Sequence, residues 1–240
     1  MLSIRGLSKH FYGVDVLNGI NLDIKAGEVV GLIGRSGAGK STLARCLVGL
    51  ETADQGEIHL NGSPIAPGEG FARQHIQYLW QDPTQALSPY LTARAAVVET
   101  LSGFRIGPAN KRRSQAEEIL NDLGLDQATI LRRPHSLSGG QCQRVALARA
   151  VAAEPEVLIL DEPFSSLDLA TQISTIHLLR RVHAKRKPAM LIVSHDLAPL
   201  RQLADRIAVL DDARIVEDIA LDEFTAKASH PLSRAYAGML

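Results

Sequence analysis

Apolar and polar residues alternate in two stretches near the N-terminus, and this alternation predicts strands with one buried face. Residues 20–24 read Ile-Asn-Leu-Asp-Ile, and residues 58–60 read Ile-His-Leu just before the turn pair Asn61 and Gly62. A period of two that ends in turn residues is typical of half-buried antiparallel strands. The first third of the chain is therefore predicted to form an antiparallel β subdomain.

Other stretches are apolar on both faces, which is typical of strands inside a parallel sheet that is covered by helices. They are residues 29–33, 157–160 and 190–193, and a further candidate strand spans residues 207–210. Helix-like segments follow at residues 40–50, 169–183 and 197–204. This alternation of strands and helices predicts a parallel sheet flanked by helices.

Residues 82 to about 153 follow a third pattern, with helical spacing of apolar residues and repeated Gly and Pro punctuation. Ile119, Leu120 and Leu123 fall on one face of a predicted helix. We predict that this stretch is a helical subdomain inserted into the α/β core. Residues 231–240 are predicted to form a short closing helix.

A glycine-rich loop follows the first covered strand. It starts at Gly34 and reads Gly-Arg-Ser-Gly-Ala-Gly-Lys-Ser. Gly34, Gly37 and Gly39 allow backbone N–H groups to approach a phosphate, and the following helix adds the positive end of its dipole. Lys40 is predicted to reach the β- and γ-phosphates, and Ser41 to offer its hydroxyl to Mg²⁺. The loop therefore predicts a nucleotide site.

Two acids end the covered strand at residues 157–160. At the carboxyl end of a parallel strand, Asp161 can hold the Mg²⁺ shell and Glu162 can orient or deprotonate an attacking water. The predicted fold class is therefore α/β, with a P-loop NTPase core around a parallel sheet, an N-terminal antiparallel β subdomain and an inserted helical subdomain. The whole chain, residues 1–240, is predicted to be one cassette.

A second glycine-containing segment, residues 137–141, reads Leu-Ser-Gly-Gly-Gln before a strongly helical run. Ser138 suits the N-cap of that helix and Gln141 suits the third helical position, which is the capping-box arrangement. The two glycines also leave the first amides of the helix open, so a γ-phosphate could bind there. From these residues alone, a capped helix and a second anion site both stay open.

Composition excludes several functional classes. The chain has 240 residues, and its 26 basic residues balance 26 acidic ones, so a nucleic acid is not an expected partner. The apolar stretches are too short to cross a bilayer and no signal peptide is visible, which predicts a cytoplasmic chain. Cys46 and Cys142 lie outside any metal-binding pattern and are expected to be reduced thiols.

The order and spacing of six segments resemble the nucleotide-binding subunit of ABC transporters. These segments are residues 34–41, Gln81, residues 137–141, residues 157–162, residues 165–168, which include Ser166, and His195. The resemblance covers essentially the whole chain. It implies that two cassettes hold two ATP molecules head to tail, so that each phosphate loop faces the 137–141 segment of the other cassette.

The resemblance also implies a role for individual residues. Ser138 and Gly139 would contact the γ-phosphate that the other cassette binds. Gln81 would sense Mg²⁺ and the attacking water. Glu162 would be the general base, and His195 would hydrogen-bond the γ-phosphate. Asp168 would help to couple the two sites across the cassette dimer.

The adenine ring is expected to stack on an aromatic residue before the loop, and Phe11 is preferred over Tyr12. The implied nucleotide-binding residues are Phe11, Gly34, Arg35, Ser36, Gly37, Ala38, Gly39, Lys40, Ser41, Thr42, Ser138, Gly139, Gly140 and Gln141. The implied catalytic residues are Glu162, His195, Gln81 and Lys40. The implied metal ligands are Ser41, Gln81 and Asp161.

The segment from Gln81 to Thr92 and the tail from His230 to Ala235 resemble the peptide and nickel importer branch of that family. Trp80 and Ser88 depart from its usual Phe and Asn. The resemblance implies a peripheral subunit at the cytoplasmic face of the membrane, with two permease subunits, a second identical or homologous cassette and, indirectly, a solute-binding protein. The alternatives are a soluble ABC-type ATPase without a transport role and an exporter cassette.

Overall fold

The computed structural model describes residues 1–165 and 167–238. The strands in this part of the chain are β1 (Leu2–Phe11), β2 (Val14–Ile24), β3 (Val29–Ile33), β4 (Gln55–Leu60), β5 (Ser63–Pro64), β6 (Ile76–Leu79), β7 (Val157–Asp161), β8 (Ala189–Val193), β9 (Arg206–Asp211) and β10 (Arg214–Ala220). The helices are α1 (Lys40–Leu47), α2 (Gly70–His75), α3 (Ala93–Gly103), α4 (Arg112–Asp122), α5 (Gly139–Ala152), α6 (Leu169–Arg186), α7 (Leu197–Leu200), α8 (Leu221–Lys227) and α9 (Pro231–Ala237). Within the described residues, no helix combines the length and the apolar character that crossing a bilayer requires.

The predicted antiparallel sheet is confirmed. Its four strands lie in the order β2-β1-β4-β5, and every neighbouring pair is antiparallel. Ile20, Leu22 and Ile24 are buried while the polar residues between them are exposed. The alternation in sequence therefore corresponds to one face of the sheet that packs on the core and one that faces solvent.

The second sheet has the order β10-β9-β3-β8-β7-β6. The strands β9, β3, β8, β7 and β6 are parallel, as predicted, and every residue of β3, β7 and β8 is buried. The prediction did not include β10, which pairs antiparallel with β9 at the edge. Asp212 and Ala213 join these two strands with φ of 45° and 61°, and a two-residue turn can only connect antiparallel neighbours.

Several predicted helices differ from the observed ones at their ends. The first ends at Leu47 and not at residue 50, because Gly49 nearby has a left-handed φ of 74°. The second predicted helix, residues 169–183, extends to Arg186 in the structure. The next residue, Lys187, caps it with a left-handed φ of 48°. The third predicted helix, residues 197–204, is observed only as the shorter α7. The predicted closing helix is observed as α9. Residues 239 and 240, which the prediction included, lie outside the described residues.

The region predicted to be an inserted helical subdomain contains α3, α4 and α5. Val97 of α3, Leu120 of α4 and Leu147 of α5 are fully or almost fully buried in one apolar cluster, which also contains Leu158 and Leu160 of β7. The three helices thus share a continuous core with the parallel sheet. The boundaries at residues 82 and 153 stay a prediction.

Both thiols are buried. Cys46 lies in α1 and Cys142 lies in α5, and neither forms a disulfide. Burial raises the pKa of Cys46 to about 11 and also raises the pKa of Cys142. Both side chains therefore stay protonated at neutral pH.

Glu217 on β10 holds the start of the last helix. Its Oε1 atom accepts hydrogen bonds from the backbone N of Ser229 (2.7 Å), the hydroxyl of Ser229 (2.6 Å) and the backbone N of His230 (2.7 Å). Burial alone would raise the pKa of Glu217, but these bonds lower it to about 2. The carboxylate therefore anchors the segment that leads into α9.

This anchor predicts a pH-dependent contribution to stability. Because the pKa of Glu217 falls from 4.5 to about 2 on folding, the stabilisation is fully present above about pH 4.5 and is lost as the pH falls towards 2. We expect Glu217→Gln to lower the free energy of unfolding by about 1 kcal/mol at pH 7 and by less than half as much at pH 3. Urea unfolding of both proteins at the two pH values measures this. An equal loss at pH 7 and pH 3 would contradict it.

Candidate active site

The loop that links β3 to α1 requires glycine for two different reasons. Gly37 and Gly39 have φ of 79° and 102°, a region that residues with a side chain rarely adopt. A Cβ atom on Gly34 would lie 2.3 Å from the carbonyl oxygen of Leu210, and one on Gly39 would lie 2.4 Å from that of Val16. The loop is therefore wedged between β9 and β2, and of its glycines Gly37 has open space around it.

Lys40 begins α1, and its buried side chain folds back over the loop. Its Nζ atom donates hydrogen bonds to the carbonyl oxygens of Gly34 (2.8 Å) and Arg35 (3.0 Å). Burial lowers the pKa of Lys40, and the nearby carboxylates of Glu162 and Asp161 oppose this shift. The amine thus lies within the glycine loop, where a bound phosphate would meet it.

Asp161 ends β7, and both of its carboxylate oxygens are held. Oδ1 accepts a hydrogen bond from the Ser41 hydroxyl at 3.0 Å, and Oδ2 accepts one from the Tyr78 hydroxyl at 2.6 Å. Tyr78 was not predicted. It lies on β6, opposite Ile159 in the parallel register, and the signal for it is an aromatic residue with a polar tip on the strand that precedes Gln81.

Ser41 and Asp161 together provide a site suited to a hard divalent cation. A hydroxyl and a carboxylate are the kinds of oxygen ligand that Mg²⁺ prefers, and Mg²⁺ takes only one or two protein ligands when phosphates complete its shell. Gln81, the third predicted ligand, lines the same cavity as Ser41. In this structure its Nε2 atom donates to the Ser165 hydroxyl at 3.5 Å.

Glu162 and His195 are brought together from separate strand ends. Glu162 follows β7 with a left-handed φ of 50°, and its backbone N donates to the carbonyl oxygen of Val193 at the end of β8 (3.0 Å). His195 lies two residues beyond Val193, and its Nδ1 is 2.7 Å from Glu162 Oε2. A strained backbone at such a residue is typical of functional sites, and it aims the carboxylate at the imidazole.

One cavity of about 320 Å³ is lined by half of the predicted site residues. The residues that line it are Val16, Ser36, Gly37, Gly39, Lys40, Ser41, Thr42, Gln81, Glu162 and His195. Gly34, Arg35 and Ala38 build the loop behind this wall, and the Ala38 backbone N donates to the Arg35 carbonyl at 3.2 Å. The cavity therefore presents an amine, a carboxylate, a hydroxyl and an imidazole to one volume.

The predicted capping box at the start of α5 is confirmed. The Ser138 hydroxyl accepts from the backbone N of Gln141 (3.3 Å), and the Gln141 side chain accepts from the backbone N of Ser138 (2.9 Å). Ser138, Gly139, Gly140 and Gln141 do not line the cavity that contains Lys40. The structure thus separates this segment from the phosphate loop of its own chain.

The segment after Glu162 has mainly structural contacts within the chain. The Ser165 hydroxyl donates to the carbonyl oxygen of Glu162 at 2.9 Å. Asp168 is the N-cap of α6, where it accepts from the backbone N of Thr171 at 2.8 Å. Ser166, which belongs to the same predicted motif, lies outside the described residues. The coupling role of Asp168 stays a prediction.

Gln143 is a buried residue of α5 that the prediction missed. Its Nε2 atom donates to the carbonyl oxygen of Pro163 at 2.7 Å, and its Oε1 atom accepts from the Thr175 hydroxyl at 3.4 Å. Gln143 therefore joins the helix of the 137–141 segment to the loop that follows Glu162. The signal for it is a glutamine at a buried position of an otherwise apolar helix face.

The two candidates for adenine stacking lie at the turn between β1 and β2. Tyr12 has φ of 52° and is fully exposed. Phe11 is half-buried, and the Lys9 ammonium lies 5.0 Å from the centroid of its ring. Neither residue lines the cavity around Lys40, so the preference for Phe11 stays a prediction.

Comparisons with known proteins give one consistent family. The family model described as "ABC transporter" matches residues 17–165 of the chain. A putative peptide import ATP-binding protein of Brucella ovis is 37% identical over 243 residues, which cover 98% of this chain and 77% of that protein. The nickel import ATP-binding protein NikE of Escherichia coli is 40% identical over 252 residues, which cover 98% of this chain and 94% of that protein.

A solved structure gives the same result for the fold. The ATP-binding cassette MJ0796, determined as a dimer in a post-hydrolysis state bound to ADP and Pi, superposes with a TM-score of 0.80 at 29% sequence identity. The match covers 92% of this chain and 99% of that one. The predicted α/β architecture therefore agrees with an experimentally determined cassette over nearly its whole length.

Proposed function

The chain belongs to the ABC transporter family, and on this premise we propose that it is the ATP-hydrolysing subunit of an importer for a small polar solute, such as a peptide or nickel. ATP binding and hydrolysis are properties of the family. The site assignment rests on one observation: Lys40, Glu162 and His195 line the same cavity next to the glycine loop. The importer assignment rests on the similarity to the peptide and nickel import proteins.

The residues of this cavity have complementary roles in hydrolysis. Lys40 leaves the carbonyl oxygens of Gly34 and Arg35 and binds the β- and γ-phosphates. Glu162 accepts the proton of the attacking water, and His195 orients the Glu162 carboxylate from 2.7 Å. His195 also hydrogen-bonds the γ-phosphate, as the family resemblance implies. Gln81, at the mouth of the same cavity, orients the water. Ser41 and Asp161 would hold Mg²⁺, which neutralises charge on the phosphate oxygens when it is bound.

Tyr78 is expected to matter for the metal and not for the chemical step. Burial and the bond to Asp161 raise the pKa of Tyr78, so its hydroxyl stays a donor to Oδ2. Tyr78→Phe keeps the edge-on contact with Trp80 but frees one oxygen of Asp161. We expect the Mg²⁺ concentration for half-maximal ATPase activity to rise about tenfold, with little change in rate at saturating Mg²⁺. A Mg²⁺ titration measures this, and an unchanged midpoint would contradict it.

A second cassette completes the site in this proposal. The exposed Ser138 and Gly139 begin a helix whose open amides suit a phosphate, yet they lie away from Lys40 of the same chain. A head-to-tail pair would let each phosphate loop meet the 137–141 segment of its partner. The dimeric MJ0796 structures support the presence of a second cassette. The second cassette is either identical or homologous.

A groove on another face suits the permease subunits. It has a volume of about 800 Å³ and lies between the end of α1, the segment after β6, α3 and α5. Leu50, Trp80 and Phe104 contribute partly exposed apolar side chains to it, and Arg73 and Glu99 contribute charges. Exposed apolar side chains next to charged ones are typical of a protein-docking surface. This proposal places the chain at the cytoplasmic face of the membrane, with solute delivered by a separate binding protein.

Transport in reconstituted vesicles tests the function. The chain is combined with its second cassette and candidate permeases, and uptake of radiolabelled nickel or of a peptide is measured with ATP on the cassette side. We expect uptake to require ATP and to stop with Lys40→Ala. Outward transport would show that the protein belongs to an exporter and not to an importer. Recovery of the chain with ribosomes or DNA, and not with membranes, would favour a non-transport ATPase.

A further inference from the structure

The last helix reaches the phosphate loop through one hydrogen bond. The hydroxyl of Tyr236 in α9 donates to the carbonyl oxygen of Gly34 at 3.2 Å. The same carbonyl accepts from Nζ of Lys40 at 2.8 Å. Gly34 therefore has two side-chain donors, one from the loop itself and one from a helix that lies about 200 residues later in the chain.

Tyr236 is held firmly enough to act as a fixed donor. Its ring packs against the core cluster that contains the buried side chains of Val209 and Phe224, and Leu232 on the same helix is also buried. Glu217 fixes the entry to α9 through Ser229 and His230. A Cβ atom on Gly34 would lie 2.3 Å from the carbonyl oxygen of Leu210, so the backbone of Gly34 packs closely against β9.

The hydroxyl is also protonated at neutral pH. Burial raises the pKa of Tyr236; the hydrogen bond with the Gly34 backbone opposes this shift, and the carboxylates of Glu162 and Asp211 add to it. A protonated phenol next to a carbonyl oxygen can only donate to it. The bond to Gly34 is therefore present throughout the physiological pH range.

Lys40 has three N–H donors, so it cannot keep its bonds to both the Gly34 and the Arg35 carbonyl while it also donates to the β- and the γ-phosphate. When its amine turns to the two phosphates, at least one of these carbonyl oxygens loses its donor. A buried carbonyl without a partner costs free energy, and that cost opposes nucleotide binding. Tyr236 keeps one of the two carbonyls satisfied after the lysine has left.

We propose that Tyr236 is a positioning residue of the nucleotide site, which holds the Gly34 carbonyl while Lys40 moves from the loop to the phosphates. This inference rests on the proposed role of Lys40 in phosphate binding. It makes α9 a part of the ATP site, although α9 carries none of the six segments by which the family resemblance was identified.

Two measurements on the purified chain test this proposal, and neither depends on hydrolysis. The first is the affinity for a fluorescent ATP analogue. Tyr236→Phe keeps the ring and removes only the donor, so we expect the dissociation constant to rise about fivefold. The matched control is Tyr90→Phe, because Tyr90 is 82% exposed. We expect the control to bind like the unmodified chain.

The second measurement is thermal unfolding without nucleotide, in a double-mutant cycle with Lys40→Met. With Lys40 present, Gly34 keeps a donor in Tyr236→Phe, so the unfolding temperature should change little. In the Lys40→Met background, Tyr236 is the remaining side-chain donor to Gly34 among the described contacts, and its loss should lower the unfolding temperature more. Equal shifts in the two backgrounds, or unchanged ATP affinity in Tyr236→Phe, would overturn the proposal.

Different results would contradict the role of Lys40 and the role of Tyr236. If Lys40→Met still binds the analogue normally, the proposed role of Lys40 is wrong. If Lys40→Met loses binding but Tyr236→Phe behaves like Tyr90→Phe, only the role of Tyr236 is wrong. A general loosening of α9 by the substitution would lower the unfolding temperature equally in both backgrounds.

Discussion

Replacing Glu162 by Gln is expected to lower ATP hydrolysis by a factor of about 10² to 10⁴ and to leave ATP binding intact. Gln has nearly the same shape and can still contact His195, but it cannot accept the proton of the attacking water. Phosphate release measures the rate, and binding of a fluorescent ATP analogue measures the affinity. Because ATP would stay bound, the variant should also accumulate as an ATP-loaded dimer of cassettes.

A matched control tests whether the loss of a negative charge elsewhere on the protein would lower ATP hydrolysis in the same way. Glu118→Gln removes a carboxylate from an exposed position on α4, far in sequence from every predicted site residue, and should hydrolyse ATP normally. If Glu162→Gln keeps more than about a tenth of the original rate, Glu162 is not the general base. If it loses ATP binding instead, the carboxylate serves binding and not only the chemical step, which contradicts the proposed role of Glu162 as general base.

The second large effect is expected when two variants, each inactive alone, are mixed. Lys40→Ala removes the phosphate ligand of one cassette, and Ser138→Arg blocks the helix start that is proposed to face the partner's ATP. Each variant alone should hydrolyse ATP poorly. An equal mixture should recover roughly a quarter of the normal rate, because half of the dimers are mixed and each of these has one intact site of two.

The mixture distinguishes a site shared between two chains from a site within one chain. If Ser138 served the phosphate loop of its own chain, no mixed dimer would contain an intact site and no activity would return. Differently tagged variants and a pull-down in the presence of ATP show whether mixed dimers form. Mixed dimers without recovered hydrolysis would contradict the proposed arrangement. A mixture of two Lys40→Ala preparations is the negative control.

The features that sequence predicts well here are those encoded by neighbouring residues. The glycine loop, the acid pair at the end of β7 and the capping box at Ser138 each depend on a few consecutive side chains. The covered strands β3, β7 and β8 are also visible, because burial on both faces demands an unbroken apolar run. The resemblance to a family then supplied the roles of Gln81 and His195, which no local pattern could assign.

The contacts that sequence could not predict join residues far apart in the chain. Tyr78 reaches Asp161 because β6 and β7 are neighbours in a particular register. Tyr236 reaches Gly34 because α9 returns to the sheet, and Gln143 reaches Pro163 across two elements. In each case a polar atom in a buried setting needs a partner, but only the folded topology determines which partner lies within reach.

The burial of both cysteines makes this protein convenient for site-directed spectroscopy. Maleimide reagents attack exposed thiolates, whereas Cys46 and Cys142 are buried, with raised pKa values. A single cysteine introduced at an exposed position, such as that of Glu118, can therefore carry a dye or a spin label while both natural thiols stay in place. Distances between two labelled chains would then report directly on how they approach each other during an ATP cycle.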